Sequence, residues 1–116
     1  MRPIDESELI LNPDGSVFHL HLKPEMLADT VILVGDPGRV DTIASFLRKL
    51  EVNVSNREFR TVTGEFHSKR LSVVSTGIGT DNIDIVLNEL DALVNIDLKT
   101  RTVNPQKRTL TLVRLG

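Results

Sequence analysis

The sequence predicts an α/β fold, because segments typical of strands alternate along the chain with segments typical of helices. The clearest alternation is at residues 31–34, where four apolar residues end at Gly35 and a helical pattern follows. A second strand-glycine-helix junction lies at residues 75–81. The chain has 116 residues, which is the length of one domain and enough to bury a core.

The N-terminal part is expected to be an arm followed by the main domain. Residues 1–16 are polar and rich in turn-forming residues, which predicts the arm. The domain is expected to occupy residues 17–116. It begins with residues 17–22, which form a short strand or an extended entry segment.

The first strand-helix unit is predicted from its junction residues. Strand 31–34 leads through Gly35 into a helix over residues 37–49. Asp36 is a suitable N-cap, and Pro37 suits the first helical turn. One face of this helix is apolar and predicted to be buried, formed by Val40, Ile43, Ala44 and Leu47.

The second half continues the alternation of strands and helices. Residues 52–56 and 58–66 have extended patterns and lead to a strand over 70–75. The next helix is predicted to bury one face, formed by Ile83, Val86, Leu87, Leu90 and Val94. Two more strands are expected at 98–103 and 109–115, joined by a turn containing Pro105.

Composition argues against several functional classes. No apolar run approaches the roughly 20 residues that span a membrane, and the first residues lack the apolar segment of a secretory signal. The net charge is -2 and the four aromatic residues are all Phe, so nothing favours a nucleic-acid partner. There is no cysteine, which excludes disulfides and thiol chemistry and fits a cytoplasmic location.

The end of the chain predicts a truncation. The last residues form an apolar strand followed at once by Gly116, with no polar tail. Strands of this kind ordinarily lead into another element. We therefore expect the chain to be truncated after Gly116 and to belong to a longer parent protein.

Gly35 and two arginines are candidates for anion binding. A strand-glycine-helix junction directs backbone N–H groups to one spot, where an anion binds well. Arg39 lies one turn into the predicted helix and adds a planar donor suited to phosphate. An ordinary turn with a solvated arginine explains these residues equally well. Arg114 lies in an apolar strand, where an arginine is costly unless it meets an anion.

Other candidate sites have weaker sequence signals. Residues 76–79 contain Gly-x-Gly, but position 82 is Asn where a dinucleotide fingerprint has its third glycine. Taken alone, His19 is expected to be a surface histidine and Arg57 a partner in an exposed salt bridge. The sequence contains no metal-ligand spacing and no serine-nucleophile motif. No residue is therefore assigned as catalytic.

Six short motifs together resemble the nucleoside phosphorylase family, most closely its uridine phosphorylase branch. They are Phe18-His-Leu20, Val34-Gly-Asp-Pro-Gly-Arg39, Asn56-Arg-Glu-Phe59, Ser75-Thr-Gly-Ile-Gly79, Asn88-Glu-Leu90 and Val113-Arg-Leu-Gly116. The resemblance runs from about residue 17 to residue 116 and covers the N-terminal part of such an enzyme. It implies part of a three-layer α/β/α fold with a mixed central sheet.

The resemblance also implies roles for individual residues. Phosphate is expected to be bound by the backbone of Gly35 and by the side chains of Arg39 and Arg114. Arg57 of a neighbouring subunit is the fourth phosphate ligand, and His19 of that neighbour contacts the ribose. The smallest complete unit is then a homodimer, which can belong to a larger homo-oligomer.

The activity that the resemblance implies is reversible phosphorolysis in nucleoside salvage. Inorganic phosphate is the co-substrate, the products are a free base and (deoxy)ribose 1-phosphate, and neither a cofactor nor a metal is needed for the chemistry. In the uridine branch, Glu58, Ile78 and Asn82 would hold a monovalent cation at the dimer interface, although Asn82 replaces the serine expected there.

Two alternative functions stay open. One is a purine nucleoside phosphorylase of the same family. The other is a non-catalytic module for anion binding or assembly. The base-binding residues and the later ribose-binding residues of the family would lie beyond Gly116, so we expect the 116-residue chain to be inactive by itself.

Overall fold

The computed structural model describes residues 10–77, 79–104 and 108–115. In chain order, a 3-10 helix at Pro24–Met26 is followed by β1 (Thr30–Val34), α1 (Pro37–Ala44), β2 (Arg48–Asn56), β3 (Phe59–Phe66), β4 (Lys69–Ser75), α2 (Thr80–Asn95), β5 (Ile96–Asp97), β6 (Thr102–Val103) and β7 (Thr111–Arg114). None of the helices in the described part is long and apolar enough to cross a membrane.

Five strands form one mixed sheet in the order β2-β3-β4-β1-β7. Strand β1 is parallel to both of its neighbours, β4 and β7, whereas β2, β3 and β4 pair antiparallel. The parallel register places Val34 opposite Ser75, and Leu33 opposite Arg114. The carboxyl ends of β1, β4 and β7 therefore meet at one edge of the sheet. The mixed central sheet predicted from the sequence is confirmed.

The two faces of the sheet are covered by different helices. Val31 and Leu33 of β1 belong to a core cluster with Val86 and Leu90 of α2. The alternate residue Val34 belongs to a second cluster on the other face, with Val40 of α1. The arrangement of helix, sheet and helix agrees with the predicted three-layer fold.

The first strand-helix unit matches the prediction at its start but not at its end. The Asp36 side chain accepts a hydrogen bond from the Gly38 backbone N–H at 2.8 Å, which makes it the N-cap. Helix α1 ends at Ala44, so the prediction of a helix to residue 49 is wrong. Leu47 is still buried, but it lies after the helix. Strand β2 begins already at Arg48, because backbone pairing with β3 overrides the weak helical pattern there.

Helix α2 buries most, but not all, of its predicted face. Val86, Leu90 and Val94 are buried, as predicted. Leu87 is 37% exposed, so its assignment to the core was wrong. Leu93 is buried instead, because the stripe that faces the sheet runs on its side of the helix.

Two predicted strands are replaced by turns. Residues 17–22 turn back on themselves, with the His21 N–H bonded to the Val17 carbonyl at 3.0 Å, so neither a strand nor an extended segment forms there. In the region 98–103, only Thr102–Val103 is a strand. Asp97 accepts a hydrogen bond from the Lys99 N–H at 3.0 Å, and this turn interrupts the expected strand.

The remaining predictions concern the ends of the chain. Strand β7 lies within the predicted 109–115. Of the predicted arm, the described residues 10–16 form a turn, in which the Asn12 N–H donates to the Ser16 carbonyl at 2.8 Å. Residues 1–9, Ile78, residues 105–107 and Gly116 lie outside the described residues.

Candidate functional site

Two glycine junctions lie side by side at the carboxyl edge of the parallel strands. Gly35 follows β1, and Gly77 follows β4 two residues after Ser75. The Gly77 N–H donates to the Gly35 carbonyl at 2.8 Å, and the Thr76 N–H donates to the Val34 carbonyl at 2.8 Å. The chain beyond β4 therefore continues alongside Gly35. This edge is where ligands of open α/β sheets commonly bind.

The N-terminus of α1 faces the same edge, but the chain itself already satisfies part of it. The Asp36 carboxylate accepts from Gly38 N, and the Arg39 N–H donates to the Asp36 carbonyl at 3.0 Å. The side chain of Arg39 lies on an exposed turn of the helix. The anion-binding prediction therefore depends on Gly35 and on the arginines more than on the helix terminus alone.

Arg114 reaches this edge from the other face of the sheet. It is paired with Leu33, and residues paired across strands project from the same face. Leu33 packs in the cluster of α2, so Arg114 projects toward the α2 side, opposite to α1. Arg114 is exposed, which corrects the argument that burial in an apolar strand forces it to pair with an anion. Gly35 thus lies between a segment carrying Arg39 and a strand carrying Arg114.

His19 and Arg57 lie together in a separate cleft. Arg57 is in the turn between β2 and β3, has a positive φ of 56°, and is exposed. The Asn56 side-chain amide donates to the His19 carbonyl at 2.9 Å, which joins this turn to the segment before the sheet. The cleft has a volume of about 480 Å³, and both His19 and Arg57 line it together with Phe18 and Phe59.

The structure identifies one residue that the sequence analysis missed. Glu89, in α2, lies 2.7 Å from Nδ1 of His19 through its Oε2 atom. Its carboxylate also accepts from the backbone N–H groups of His19 and Leu20. His19 is therefore not a plain surface histidine, since its side chain is 35% exposed and held by a carboxylate that is 12% exposed. The only sequence signal was the motif Asn88-Glu-Leu90, which carried no assigned role.

Glu58 and Asn82 connect the cleft with the glycine edge. A Cβ atom added to Gly77 would lie 2.8 Å from Nδ2 of Asn82 and 2.9 Å from Cγ of Glu58. These two members of the predicted cation site thus meet at Gly77, while Ile78 is outside the described residues. Within the described residues, no group of three or more His, Cys, Asp or Glu side chains is arranged to hold a metal ion. The site for a monovalent cation stays a prediction.

Comparison with known proteins identifies the family. The sequence profile of the phosphorylase superfamily matches residues 29–103, which is more than half of the chain. The chain belongs to the phosphorylase superfamily. The resemblance to nucleoside phosphorylases that the six motifs suggested is thereby confirmed.

The relatives of this chain include proteins named uridine phosphorylase and proteins named purine nucleoside phosphorylase. Uridine phosphorylase of Thermococcus kodakarensis is 39% identical over 80 residues, covering 69% of this chain and 29% of that protein. Purine nucleoside phosphorylase (DeoD-type) of Bacillus subtilis is 38% identical over 73 residues, covering 62% of this chain and 31% of that protein. The chain thus spans about a third of the length of these relatives.

A solved structure gives the same result for the fold. A Trypanosoma brucei nucleoside phosphorylase, described as showing uridine phosphorylase activity, superposes with a TM-score of 0.78 and 42% identity. The superposition covers 83% of this chain and 30% of that protein. The mixed sheet with its helices is therefore a partial α/β fold of the kind found in nucleoside phosphorylases.

Proposed function

We propose that the complete protein, of which this chain is a part, is a nucleoside phosphorylase that cleaves a nucleoside reversibly with inorganic phosphate. The observation that carries the proposal is the carboxyl edge of the sheet, where Gly35 lies between the segment of Arg39 and the strand of Arg114. A backbone N–H and two guanidinium groups suit a phosphate dianion. The proposal places phosphate as co-substrate and requires neither an organic cofactor nor a metal.

The chemistry explains why the phosphate has to be positioned. As the base departs, positive charge builds up on the sugar, and phosphate attacks the anomeric carbon from the opposite side. The C–N bond to the base breaks while the C–O bond to phosphate forms, which yields free base and ribose 1-phosphate. The arginines orient the nucleophile and offset the cost of removing its water, so the gain is orientation and electrostatics.

The decisive experiment uses the complete protein, of which this chain is a part, and compares the KM values for phosphate and nucleoside of Arg39→Ala with those of the unchanged protein. A charge-assisted hydrogen bond contributes about 1.5–3 kcal/mol. We therefore expect the KM for phosphate to rise by about 10- to 100-fold. The KM for the nucleoside should change by less than about threefold, which corresponds to a small fraction of that energy.

The control for this experiment is Arg48→Ala, because Arg48 is an exposed arginine on β2 outside the edge. It should leave both constants unchanged. If Arg39→Ala changes the two constants equally, or if the Arg48→Ala protein behaves in the same way, the assignment of the phosphate site is wrong.

We propose further that each site is shared between two subunits. Arg57 is exposed at the tip of a turn, a position from which a side chain can reach into another subunit. Mixing an Arg57→Ala protein with an Arg39→Ala protein should restore part of the activity, because each heterodimer then contains one intact site. No recovery despite verified subunit exchange would contradict the shared site. The smallest active unit is in this proposal a homodimer.

Uridine is the proposed substrate, and purine nucleosides are the alternative. Uridine is favoured by the relatives of Thermococcus kodakarensis and Trypanosoma brucei, whose names refer to uridine phosphorylase. The purine alternative is supported by the Bacillus subtilis relative. Release of uracil from uridine and of hypoxanthine from inosine, each with phosphate, distinguishes the two. The role we propose is nucleoside salvage in the cytoplasm.

A non-catalytic module for anion binding is the alternative of a different class. The described residues hold the proposed phosphate ligands, whereas the chain spans about a third of the relatives. If the 116-residue chain binds phosphate without releasing base from any nucleoside, and Arg39→Ala abolishes that binding, this alternative describes the chain as given. Turnover by the chain itself would overturn the expectation that it is inactive alone.

A further inference from the structure

Glu89 is a largely buried carboxylate to which the proposed reaction gives no role. It lies in the middle of α2 and faces the turn that contains His19. We propose that Glu89 is a positioning residue, which fixes the orientation and the tautomer of His19 and thereby supports binding of the nucleoside. This inference rests on the proposed function, because it concerns the same histidine.

Within the described residues, the hydrogen bonds of the Glu89 side chain all go to one short segment. Oε1 accepts from the backbone N–H groups of His19 at 3.0 Å and Leu20 at 2.8 Å. Oε2 lies 2.9 Å from the His19 N–H and 2.7 Å from Nδ1 of its ring. A single side chain therefore holds both the backbone and the ring of His19. Because the segment is a turn and not a strand, it lacks the support of a ladder of sheet hydrogen bonds.

Other contacts fix the same histidine. The Asn56 amide donates to the His19 carbonyl at 2.9 Å. The ring makes edge-to-face contacts with Phe18 and Phe59, with centroids 5.0 Å and 5.7 Å away. With backbone, ring edge and Nδ1 all engaged, Nε2 is the nitrogen that His19 can offer to a ligand in the cleft.

The short distance at Nδ1 determines which nitrogen carries the proton in the neutral ring. A carboxylate only accepts hydrogen bonds, so Nδ1 has to be the donor. Nε2 of the neutral ring is then an acceptor, and it suits a hydroxyl group of a sugar. A carboxylate that orients a histidine in this manner is a common support for functional histidines. Without Glu89, the ring could rotate or adopt the other tautomer.

The test uses Glu89→Gln, which keeps the size of the side chain but replaces one acceptor oxygen by a donor NH₂. The matched control is Asp91→Asn on the same helix, where an exposed carboxylate contacts Asn95 at 2.6 Å. In NMR spectra of the unliganded protein, the ring nitrogens of His19 should show the proton on Nδ1. Glu89→Gln should shift this proton to Nε2 or mix the tautomers, whereas Asp91→Asn should not.

Kinetics of the complete protein give the second readout. We expect Glu89→Gln to raise the KM for the nucleoside by about tenfold, the effect of losing one charge-assisted hydrogen bond, and to leave the KM for phosphate within about twofold. If Glu89 acts through His19, adding Glu89→Gln to His19→Ala should have little further effect on the nucleoside KM. A general loss of structure would raise both constants and add to the effect of His19→Ala.

The outcomes separate this inference from the proposed function. A wild-type ring with its proton on Nε2, or a tautomer unchanged in Glu89→Gln, overturns the role of Glu89. Equal effects on both KM values, or full additivity with His19→Ala, overturn it as well. If the complete protein, of which this chain is a part, cleaves no nucleoside, the proposed function fails, while the NMR assignment still decides whether Glu89 fixes His19. Should Glu89→Gln fail to fold, Glu89→Asp provides the same comparison, because its shorter carboxylate cannot hold ring and backbone together.

Discussion

Replacement of Gly77 by alanine tests the geometry at the carboxyl edge. Gly77 has a φ of +77°, a conformation that alanine adopts at a cost of about 1–2 kcal/mol. The new methyl group would also lie 2.8 Å from Nδ2 of Asn82 and 2.9 Å from Cγ of Glu58, so both side chains have to move. Moving side chains away from their preferred rotamers costs about 0.5–1.5 kcal/mol each.

Part of this destabilisation is offset by an effect of the substitution on the unfolded chain. Alanine restricts the unfolded chain more than glycine does, which stabilises the folded protein by about 0.4–1 kcal/mol. We therefore expect Gly77→Ala to lower the free energy of unfolding by about 3 kcal/mol. In urea unfolding followed by circular dichroism, the midpoint should fall by about 1–2 M with an unchanged slope.

The control is Gly15→Ala, which separates backbone strain from crowding. Gly15 also has a positive φ, of +89°, but a Cβ atom there would meet nothing within 4 Å. Its substitution should therefore cost at most about 1.6 kcal/mol, the backbone strain less the unfolded-state offset. If Gly77→Ala and Gly15→Ala destabilise the protein equally, Glu58 and Asn82 do not crowd Gly77, and the connection between the cleft and the glycine edge is refuted.

Two further predictions concern the core and the titration of one acidic group. Ser72→Ala removes the Oγ atom that accepts a hydrogen bond from the buried Ala28 N–H at 2.9 Å. The free energy of unfolding, measured in urea, should therefore fall by about 1–3 kcal/mol. A loss below about 0.5 kcal/mol would contradict this prediction. The side-chain hydroxyl and the backbone N–H of Ser16 hold the pKa of Asp14 below its usual 3.8. The contribution of the Asp14 carboxylate to stability is therefore complete above pH 3.8 and is lost as the pH falls through its lower pKa in the folded protein. In an NMR titration, Ser16→Ala should raise the pH at which Asp14 titrates. An unchanged titration midpoint would show that the Ser16 hydroxyl does not lower the pKa of Asp14.

Local signals were sufficient to predict the first strand-helix unit. The apolar run of β1, the glycine at its end and the Asp36-Pro37 pair each act within a few residues, so their effect can be read from the sequence. The end of α1 could not be predicted in this way. Strand β2 begins at Arg48 because β3 supplies the backbone partner, and the apolar spacing up to Leu47 gives no information about that pairing.

Turns within predicted strands were missed for a related reason. Residues 18–22 alternate between apolar side chains and histidines, which is typical of an extended segment. The buried side chains of Val17, Leu20 and Leu22 instead fill the core from a turn. Alternation reports that residues are buried, but the long-range contacts decide whether the backbone is extended. The same applies to Leu87, which satisfies the helical spacing and yet lies at the exposed margin of the stripe.

The candidate site shows most clearly which features could not be predicted from the sequence. The local strand-glycine-helix junction was enough to suggest Gly35 and Arg39. Arg114 was suggested because an arginine buried in an apolar strand needs an anion, but Arg114 is exposed. The position of Arg114 at the edge follows instead from its register with Leu33. The role of Glu89 depends on a contact across 70 residues, which no spacing in the sequence encodes. The carboxylate accepts from two backbone N–H groups and contacts a ring nitrogen at once, so the orientation of His19 is set by the fold and could not be read from the residues next to it in the sequence.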